Sequence, residues 1–406
     1  MNKNQEKLIA YLRTPAAIRE QCDRLFQLSC EDRLKYFRVQ LDRLDKVVDY
    51  VIEVTQENYP DLKIPFHSRW RHFQVGGVRR LEELNKKLSR LTPVEKAKVK
   101  FDLAIVSVLL DAGAGSQWSY QEAETGKTFR RSEGLAVSSF WMFCQGLFSS
   151  SRDRRANATG LQELSKETLT QGLQISKKNP LVGLEGRLQL LQHLGEVLSK
   201  NPQYFGEDNP RPGNLVNYLL EKKENNSAIS AVEVLTTVLE SLGEIWTGRV
   251  TIGGVTLGDV WQHSALTGNN YVPFHKISQW LTYSLLEPLQ ELGLIITDLD
   301  KLTGLAEYRN GGLCLDLGLV EAKQESIFSK AHPPSSDIIV EWRALTIILL
   351  DKIAARMREK LAMSPAELPL VKVLQGGTWS AGRRIANQLR ENGVSPLEIK
   401  SDGTIF

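Results

Sequence analysis

Apolar residues recur at intervals of three and four along most of this 406-residue chain. Such spacing places them on one face of an α-helix, which completes a turn about every 3.6 residues. The pattern predicts amphipathic helices at Leu34, Phe37, Leu41, Leu44, Val48 and Val51, at Leu184, Leu188, Leu191, Leu194 and Leu198, and at Val232, Leu235, Leu239, Leu242 and Trp246. We therefore expect a mainly α-helical protein.

Two short motifs carry the signals of a helix start. Residues 92–95 read TPVE and residues 364–367 read SPAE, so each has a hydroxyl, then a proline, and a glutamate three residues after the hydroxyl. The hydroxyl accepts a hydrogen bond from a backbone N–H that has no partner within the helix, and proline is favoured at the first helical position. Both motifs predict that a helix begins.

Strand signals are few and local. The stretch GRVTIGGVTLGD has β-branched residues on both sides of Gly253 and Gly254, which is typical of a tight hairpin. WSYQEAETGKTFRR predicts a second hairpin with a longer turn, and Asp402 and Gly403 predict a third. Strands do not alternate with helices, so a doubly wound sheet is not expected.

These elements predict one compact helical body with small β-hairpins. We expect an N-terminal helical section at 1–60, a helical core at 61–360 and a C-terminal appendage at 361–406. A chain of 45.7 kDa buries enough apolar surface to fold without disulfides or metals.

Composition narrows the class of protein further. No apolar run approaches the roughly 20 residues that span a bilayer, and the start of the chain lacks a secretory signal, so a cytoplasmic location is expected. The net charge is only +3, which disfavours nucleic-acid and membrane partners. The scattered cysteines contain no CxxC pair, so neither a metal nor another cofactor is expected.

The stretch LLDAGAGSQWSY is a candidate binding segment. It is compatible with a helix that ends at glycines, a phosphate-binding loop or a pocket wall, but the loop lacks its strand and its GK[ST] sequence. Asp111 follows an apolar run, where an unpaired carboxylate would be costly. A structural salt bridge and a substrate contact therefore both remain open for Asp111, and Trp118 lies seven residues beyond it.

A second candidate is PFHSRWRHF, which holds His67, Arg69 and Arg71 among aromatic residues. A guanidinium donates paired hydrogen bonds to oxyanions, so the segment suits the recognition of a phosphate or sugar. A loop that is pinned by its aromatic side chains explains the composition equally well.

Two further segments, around Lys276 and Glu307, contain candidate site residues. Lys276 lies among aromatics in YVPFHKISQW, where it either extends along apolar surface to water or binds an anion. In GLAEYRNGG, Glu307 stands beside Tyr308 and Arg309. A carboxylate in a partly dry pocket stabilises a developing oxocarbenium ion or activates water, as cleavage of a sugar-to-nitrogen bond requires. The alternative is an ordinary surface ion pair between Glu307 and Arg309.

These stretches together resemble the uracil-catabolism protein four family of fungal and bacterial pyrimidine degradation. The matching segments are PFHSRWRHF, LLDAGAGSQWSY, RRSEGLAVSSFWMF, NPLVGLEGRLQLLQHLG, RPGNLVNYLL and GTWSAGRRIA with the ending SDGTIF. They cover nearly the whole chain. The resemblance implies a role in the breakdown of pyrimidines.

The order of LLDAGAG, HKISQWL, GLAEYR and EWRALTIILLDKI is also similar to queuosine 5′-phosphate N-glycosylases, helical relatives of DNA glycosylases. This resemblance implies a glycosylase-like fold for the helical core at 61–360. Lys276 matches that family's lysine, and Glu307 stands where the family has an aspartate before Tyr-Arg. Asp111 and Trp118 match an aspartate and a downstream aromatic. Residues 112–115, AGAG, replace an aromatic-rich segment, which implies a smaller pocket.

The resemblances favour an N-glycosidase-type hydrolase that releases urea from ribosylurea or its 5′-phosphate. Glu307 and Lys276 would be catalytic, and a second set of residues would bind the substrate: His67, Arg69, Arg71, Asp111, Trp118, Tyr308 and Arg309. Lys276 and one of the two arginines would hold phosphate, so one shared anion site is expected. The alternative is a non-catalytic carrier or partner of pathway enzymes. An enzyme acting on nucleic acid fits the near-neutral charge poorly.

Overall fold

The computed structural model describes residues 1–224, 227–246 and 249–400, and it is mainly helical with short paired strands. This confirms the predicted class. Contacts between residues group the chain into two compact units: the first comprises Met1–His67, Gly248–Gln279 and Asp298–Lys400, and the second comprises Ser68–Thr247 and Trp280–Thr297. The three consecutive segments expected from the sequence stay a prediction.

The first unit contains both long helices and short strands. Its helices are α1 (Lys3–Leu12), α2 (Pro15–Cys30), α3 (Leu44–Asn58), α15 (Tyr308–Asp316), α16 (Asp337–Leu361), α17 (Leu370–Val373) and α18 (Trp379–Leu389). Its strands are β1 (Phe37–Val39), β5 (Thr251–Ile252), β6 (Val255–Thr256), β7 (Val260–Gln262), β8 (Tyr271–Pro273) and β10 (Val320–Ala322). They form the antiparallel pairs β1–β10, β5–β6 and β7–β8.

The second unit is built mostly of helices. They are α4 (Arg69–Phe73), α5 (Arg80–Lys87), α6 (Pro93–Leu109), α7 (Arg131–Cys144), α8 (Ala158–Gln162), α9 (Lys166–Gly172), α10 (Leu184–Lys200), α11 (Pro202–Phe205), α12 (Leu215–Lys222) and α13 (Ala231–Leu242). The antiparallel pair is β2 (Ser119–Gln121) with β3 (Thr128–Arg130), and the parallel pair is β4 (Ala228–Ser230) with β9 (Ile295–Thr297). Helix α14 (Lys276–Glu291) is divided: residues 276–279 belong to the first unit, and residues 280–291 belong to the second.

The two motifs that predicted helix starts behave differently. Thr92 caps α6, where its hydroxyl accepts a hydrogen bond from the Glu95 N–H at 3.3 Å, which confirms the first prediction. The Ser364 N–H donates to the Glu367 carboxylate and the Glu367 N–H donates to the Ser364 hydroxyl, yet residues 364–367 form only a turn. Because Pro369 disfavours helical geometry in the residue before it, the turn does not continue, and α17 begins at Leu370.

The amphipathic helix predicted from Leu34 to Val51 is wrong in its first half. Helix α3 begins only at Leu44, while Phe37–Val39 is strand β1 and Leu41–Arg43 is a 3-10 turn that leaves Leu41 44% exposed. Strand β1 pairs with β10, nearly 300 residues later in the chain, and local periodicity cannot reveal such a partner. Helix α10 agrees with its prediction, whereas α13 ends at Leu242, before Trp246.

Both central hairpins are confirmed. Strands β5 and β6 meet at Ile252 and Val255, and the intervening Gly253 and Gly254 adopt φ angles of 57° and 85°, which favour glycine. Strands β2 and β3 form the second hairpin. The third hairpin, expected at 402–403, lies outside the described residues. Within residues 1–224, 227–246 and 249–400, no helix is long and apolar enough to cross a membrane.

Candidate functional site

Glu307 directly precedes helix α15 in the first unit and is only 7% exposed. One carboxylate oxygen, Oε2, accepts the Arg309 N–H at 2.9 Å, and the other, Oε1, accepts the Asn310 N–H at 2.7 Å. These N–H groups have no partner within the helix, so the side chain acts as the N-terminal cap. Capping with both oxygens holds the carboxylate in one orientation.

The surroundings of Glu307 act on its charge in opposite directions. Burial raises the pKa of the carboxyl, because a buried anion loses its hydration. The two backbone N–H groups and the positive charges of Lys276 and Arg309 lower it, but burial outweighs them and the net pKa is raised. Glu307 therefore takes up a proton more readily than an exposed glutamate does.

Lys276 begins helix α14 and is half-buried in the same unit. Its backbone N–H donates to the Asp259 carboxylate at 3.0 Å. The residue before it, His275, has a φ angle of 47°, a left-handed conformation that is uncommon for residues other than glycine. The positive charge of Lys276 lowers the pKa of Glu307, so the two side chains interact electrostatically.

The residues after Glu307 are held by the C-terminal part of the first unit. The Arg309 guanidinium lies 4.9 Å from the centre of the Tyr308 ring, and its Nη1 donates to the Gly393 carbonyl at 2.8 Å. Helix α18 approaches closely at Gly382, where a Cβ atom would lie 2.2 Å from the Arg309 carbonyl oxygen. An exposed Glu307–Arg309 ion pair is therefore the wrong description, because both residues are buried.

His67 also belongs to the first unit and is 4% exposed. Its Nδ1 lies 3.0 Å from the Gln375 Oε1, and the Gln375 amide nitrogen donates to the Tyr59 hydroxyl at 3.0 Å. The His67 ring lies 6.1 Å from the Trp379 ring, centre to centre. His67 is thus the buried member of a partly buried polar cluster.

Asp111 and Arg69 form an ion pair in the second unit. The Arg69 Nη1 donates to Asp111 Oδ1 at 2.8 Å, and the Ser132 hydroxyl donates to the same carboxylate at 2.7 Å. The Arg69 side chain is fully buried and that of Asp111 is 10% exposed. The predicted partner of Asp111 is therefore present, and the structural salt bridge is the alternative that the contacts favour.

Arg71 is also paired with a carboxylate. Its Nη2 donates to Glu287 Oε2 at 2.8 Å, and the Ser68 hydroxyl donates to the other oxygen of the same group. Burial raises the pKa of Glu287, while the positive charge of Arg71 lowers it in part. The charges of Arg69 and Arg71 are thus largely balanced within the second unit.

Trp118 is fully buried in the second unit. Its indole Nε1 donates to the Leu173 carbonyl at 2.9 Å, so the polar edge of the ring is satisfied by backbone. A Cβ atom added at Gly134 would lie 2.9 Å from the indole ring, so α7 packs tightly against it. These contacts give Trp118 a packing role, and binding of a leaving group by Trp118 stays a prediction.

The predicted site residues are distributed over both units. His67, Lys276, Glu307, Tyr308 and Arg309 belong to the first unit. The second unit contains Arg69, Arg71, Asp111 and Trp118. The shared phosphate site that was expected for Lys276 and the arginines therefore stays a prediction.

A buried ion pair that contacts the segments of Lys276 and Glu307 was not predicted from the sequence. Arg343 binds Asp259 through two hydrogen bonds, each 2.7 Å long. A signal was present, because Arg343 and Glu341 interrupt the otherwise apolar run of α16, IIVEWRALTIILL. A charge inside such a run requires a partner, although the sequence does not say which residue supplies it.

These observations define a mainly α-helical protein whose first unit holds a buried carboxylate and a neighbouring lysine at two helix starts. The family model described as "Protein of unknown function (DUF1688)" matches residues 11–406, and the chain belongs to this family. Protein urg3 of Schizosaccharomyces pombe is 39% identical over 407 residues, covering 98% of this chain and 99% of that protein. Uracil catabolism protein 4 of Lachancea kluyveri is 37% identical over 437 residues, with the same coverage of both chains.

Proposed function

We propose that this protein is a hydrolase of pyrimidine degradation that cleaves an N-ribosyl bond. The substrate class is ribosylurea or its 5′-phosphate, and the products are urea and the free sugar or sugar phosphate. The pathway is supported by the 37% identity, over nearly the full length, to a relative named uracil catabolism protein 4. The bond to be broken is supported by the resemblance of the motifs around Lys276 and Glu307 to those of queuosine 5′-phosphate N-glycosylases.

The observation that carries the proposal is the buried, rigidly held carboxylate of Glu307 near Lys276. Departure of nitrogen from the anomeric carbon leaves positive charge on the sugar, which a fixed carboxylate stabilises more strongly in a dry site than in water. Each oxygen of Glu307 accepts one backbone N–H, and a carboxylate oxygen has a second lone pair. In the proposed reaction, that lone pair would contact the sugar cation or the attacking water.

The proposed reaction consumes one water molecule. The bond between the anomeric carbon and nitrogen breaks, the electron pair leaves with nitrogen, and water supplies the hydroxyl of the sugar and the proton of urea. Lys276 would favour the charged form of Glu307, because its positive charge lowers the pKa of that carboxyl, and its ammonium would attract anionic substrate oxygens. Glu307 has one methylene more than the aspartate of the glycosylases, which fits a smaller substrate.

The test is to incubate the purified protein with synthetic ribosylurea and with its 5′-phosphate, and to measure the release of urea. We expect catalytic turnover of one of them, and calorimetry on the same compounds gives the binding constants. Binding without release of urea would favour the carrier alternative. If the protein neither binds these compounds nor releases urea from them, the proposed substrate class is wrong.

A further inference from the structure

We propose that the Asp259–Arg343 ion pair positions Lys276 and Glu307 relative to each other. Asp259 holds the start of the helix that carries Lys276, and Arg343 holds the residue before Glu307. The geometric part of this inference is independent of activity, whereas its catalytic consequence rests on the proposed function. Asp259 and Arg343 would be positioning residues rather than catalytic ones.

The Asp259 carboxylate is bound from several sides. Arg343 donates from Nη1 to Oδ1 and from Nη2 to Oδ2, both at 2.7 Å. The Trp261 indole N–H donates to Oδ1 at 2.7 Å, and the Lys276 backbone N–H donates to Oδ2 at 3.0 Å. The side chains of Asp259 and Arg343 are only 11% and 2% exposed. A carboxylate with this many donors has one position available to it.

Asp259 also fixes the backbone that leads into Lys276. Its carbonyl oxygen accepts the Phe274 N–H at 2.9 Å and the His275 N–H at 3.4 Å. His275 has the left-handed φ of 47°, and its imidazole Nε2 lies 2.8 Å from the Leu12 carbonyl oxygen. Such a conformation persists only when the surrounding contacts determine it. The direction in which α14 starts therefore depends on Asp259.

Arg343 connects this turn to Glu307. Its Nε donates to the carbonyl oxygen of Ala306 at 3.2 Å, one residue before Glu307. The guanidinium carbon lies 4.0 Å from the centre of the Phe274 ring, two residues before Lys276. One planar group thus contacts both segments at once. Arginine suits this role because its donors have a fixed geometry.

The contacts of Asp259 favour its charged form. Burial alone would raise the pKa of Asp259, but the positive charge and hydrogen bonds of Arg343 outweigh burial and hold it well below its ordinary value. Asp259 contacts the backbone of Lys276 and Arg343 contacts the Ala306 carbonyl, so the ion pair acts on the positions of Lys276 and Glu307. Loss of the ion pair should therefore weaken the electrostatic coupling between Lys276 and Glu307.

The direct test observes Lys276 by nuclear magnetic resonance. Reductive methylation with ¹³C-formaldehyde labels the lysines of the full-length protein, and the Lys276 signal is identified by its absence in Lys276→Arg. In the wild type this signal should shift as Glu307 ionises, and the shift should disappear in Glu307→Gln. We expect Asp259→Asn and Arg343→Lys to reduce the shift by at least half.

The matched control is Asp102→Asn. Asp102 and Arg211 form another buried Asp–Arg pair, with an Nη2–Oδ2 distance of 2.6 Å and side-chain exposures of 0% and 5%, in the second unit. Circular dichroism checks that each variant is folded, and Arg343→Lys is the milder change because it keeps the positive charge. An unchanged Lys276 titration in folded Arg343→Lys, or an equal loss in Asp102→Asn, would overturn the inference.

Activity provides a separate readout. If urea is released, Asp259→Asn and Arg343→Lys should lower kcat by about 10-fold or more and change KM much less, because misplaced catalytic groups affect chiefly the transition state. Asp102→Asn should keep kcat. An absence of urea release together with the expected loss of Lys276–Glu307 coupling would reject the proposed function and leave the positioning role standing.

Discussion

At the scale of single residues, Glu307 combines two roles that usually belong to different side chains. It caps α15 with both carboxylate oxygens, a task more often done by serine, threonine, aspartate or asparagine, and it remains buried near a lysine. Capping alone would not require burial. The combination gives a carboxyl group that is held in one orientation and whose pKa is raised by burial.

The pH dependence of turnover should report Glu307. Its pKa lies above the ordinary 4.5, and the charged form is the active one, so kcat should fall as the pH drops through the raised pKa. Lys276→Met removes a charge that lowers this pKa and should move the acid limb to higher pH. Lys330→Met, at an exposed position, is the control. An acid limb that stays in place in Lys276→Met would contradict the coupling.

The sequence indicated which polar residues need a partner better than it indicated the partners themselves. The polar group around Glu307 and the need for a partner at Asp111 were both readable. The partners were not, because Asp111 pairs with Arg69, 42 residues earlier, and Arg343 pairs with Asp259, 84 residues earlier. Such pairs depend on how helices pack, and one sequence contains no direct record of that packing.

At the scale of elements, prediction succeeded where the determinant is local. Helix α10 follows from its leucine spacing and the β5–β6 hairpin from two glycines. It failed at β1, whose partner β10 is remote, and at residues 364–367, where Pro369 stops a correctly capped turn. A remote partner strand thus explains the first error, and a proline two residues beyond the motif explains the second.

Close packing of α18 on α15 should be sensitive to one methyl group. Gly382→Ala would place a Cβ atom 2.2 Å from the Arg309 carbonyl oxygen, so α18 must shift near Glu307. We expect a loss of about 1 to 3 kcal/mol in the free energy of unfolding. Gly312→Ala, whose nearest contact would be Pro396 at 3.3 Å, should cost much less. Chemical denaturation measures both, and equal losses would be inconsistent with this packing.

At the scale of the whole molecule, the net charge is small and buried ion pairs occur in both units. The net charge of +3 gives no general attraction for polyanions, so recognition depends on local groups. Both units contain buried ion pairs, and a buried pair by itself is weak evidence of stability or of function. What distinguishes Asp259–Arg343 is its contact with the segments that carry Lys276 and Glu307.

Disruption of a buried ion pair in the second unit should lower the stability of the protein without lowering its catalytic rate. Glu122 accepts hydrogen bonds from Arg80 Nε at 2.5 Å and Nη2 at 2.7 Å, and from the Trp141 indole at 2.7 Å. Glu122→Gln leaves the Arg80 charge unbalanced, and we expect a loss of about 3 to 5 kcal/mol in the free energy of unfolding. Denaturation and urea assays on the folded protein test this, and kcat should stay unchanged. A matching fall in kcat would place Glu122 in the mechanism.

The most direct test of the central claim compares Glu307→Gln with Glu325→Gln, the same change at an exposed position of the first unit. The measurement is kcat for urea release from the substrate that the wild type turns over. Charge stabilisation predicts a fall of about 10²- to 10³-fold in Glu307→Gln, with little change in substrate affinity by calorimetry, and no change in Glu325→Gln. Wild-type kcat in folded Glu307→Gln would contradict the claim that this carboxylate drives the reaction.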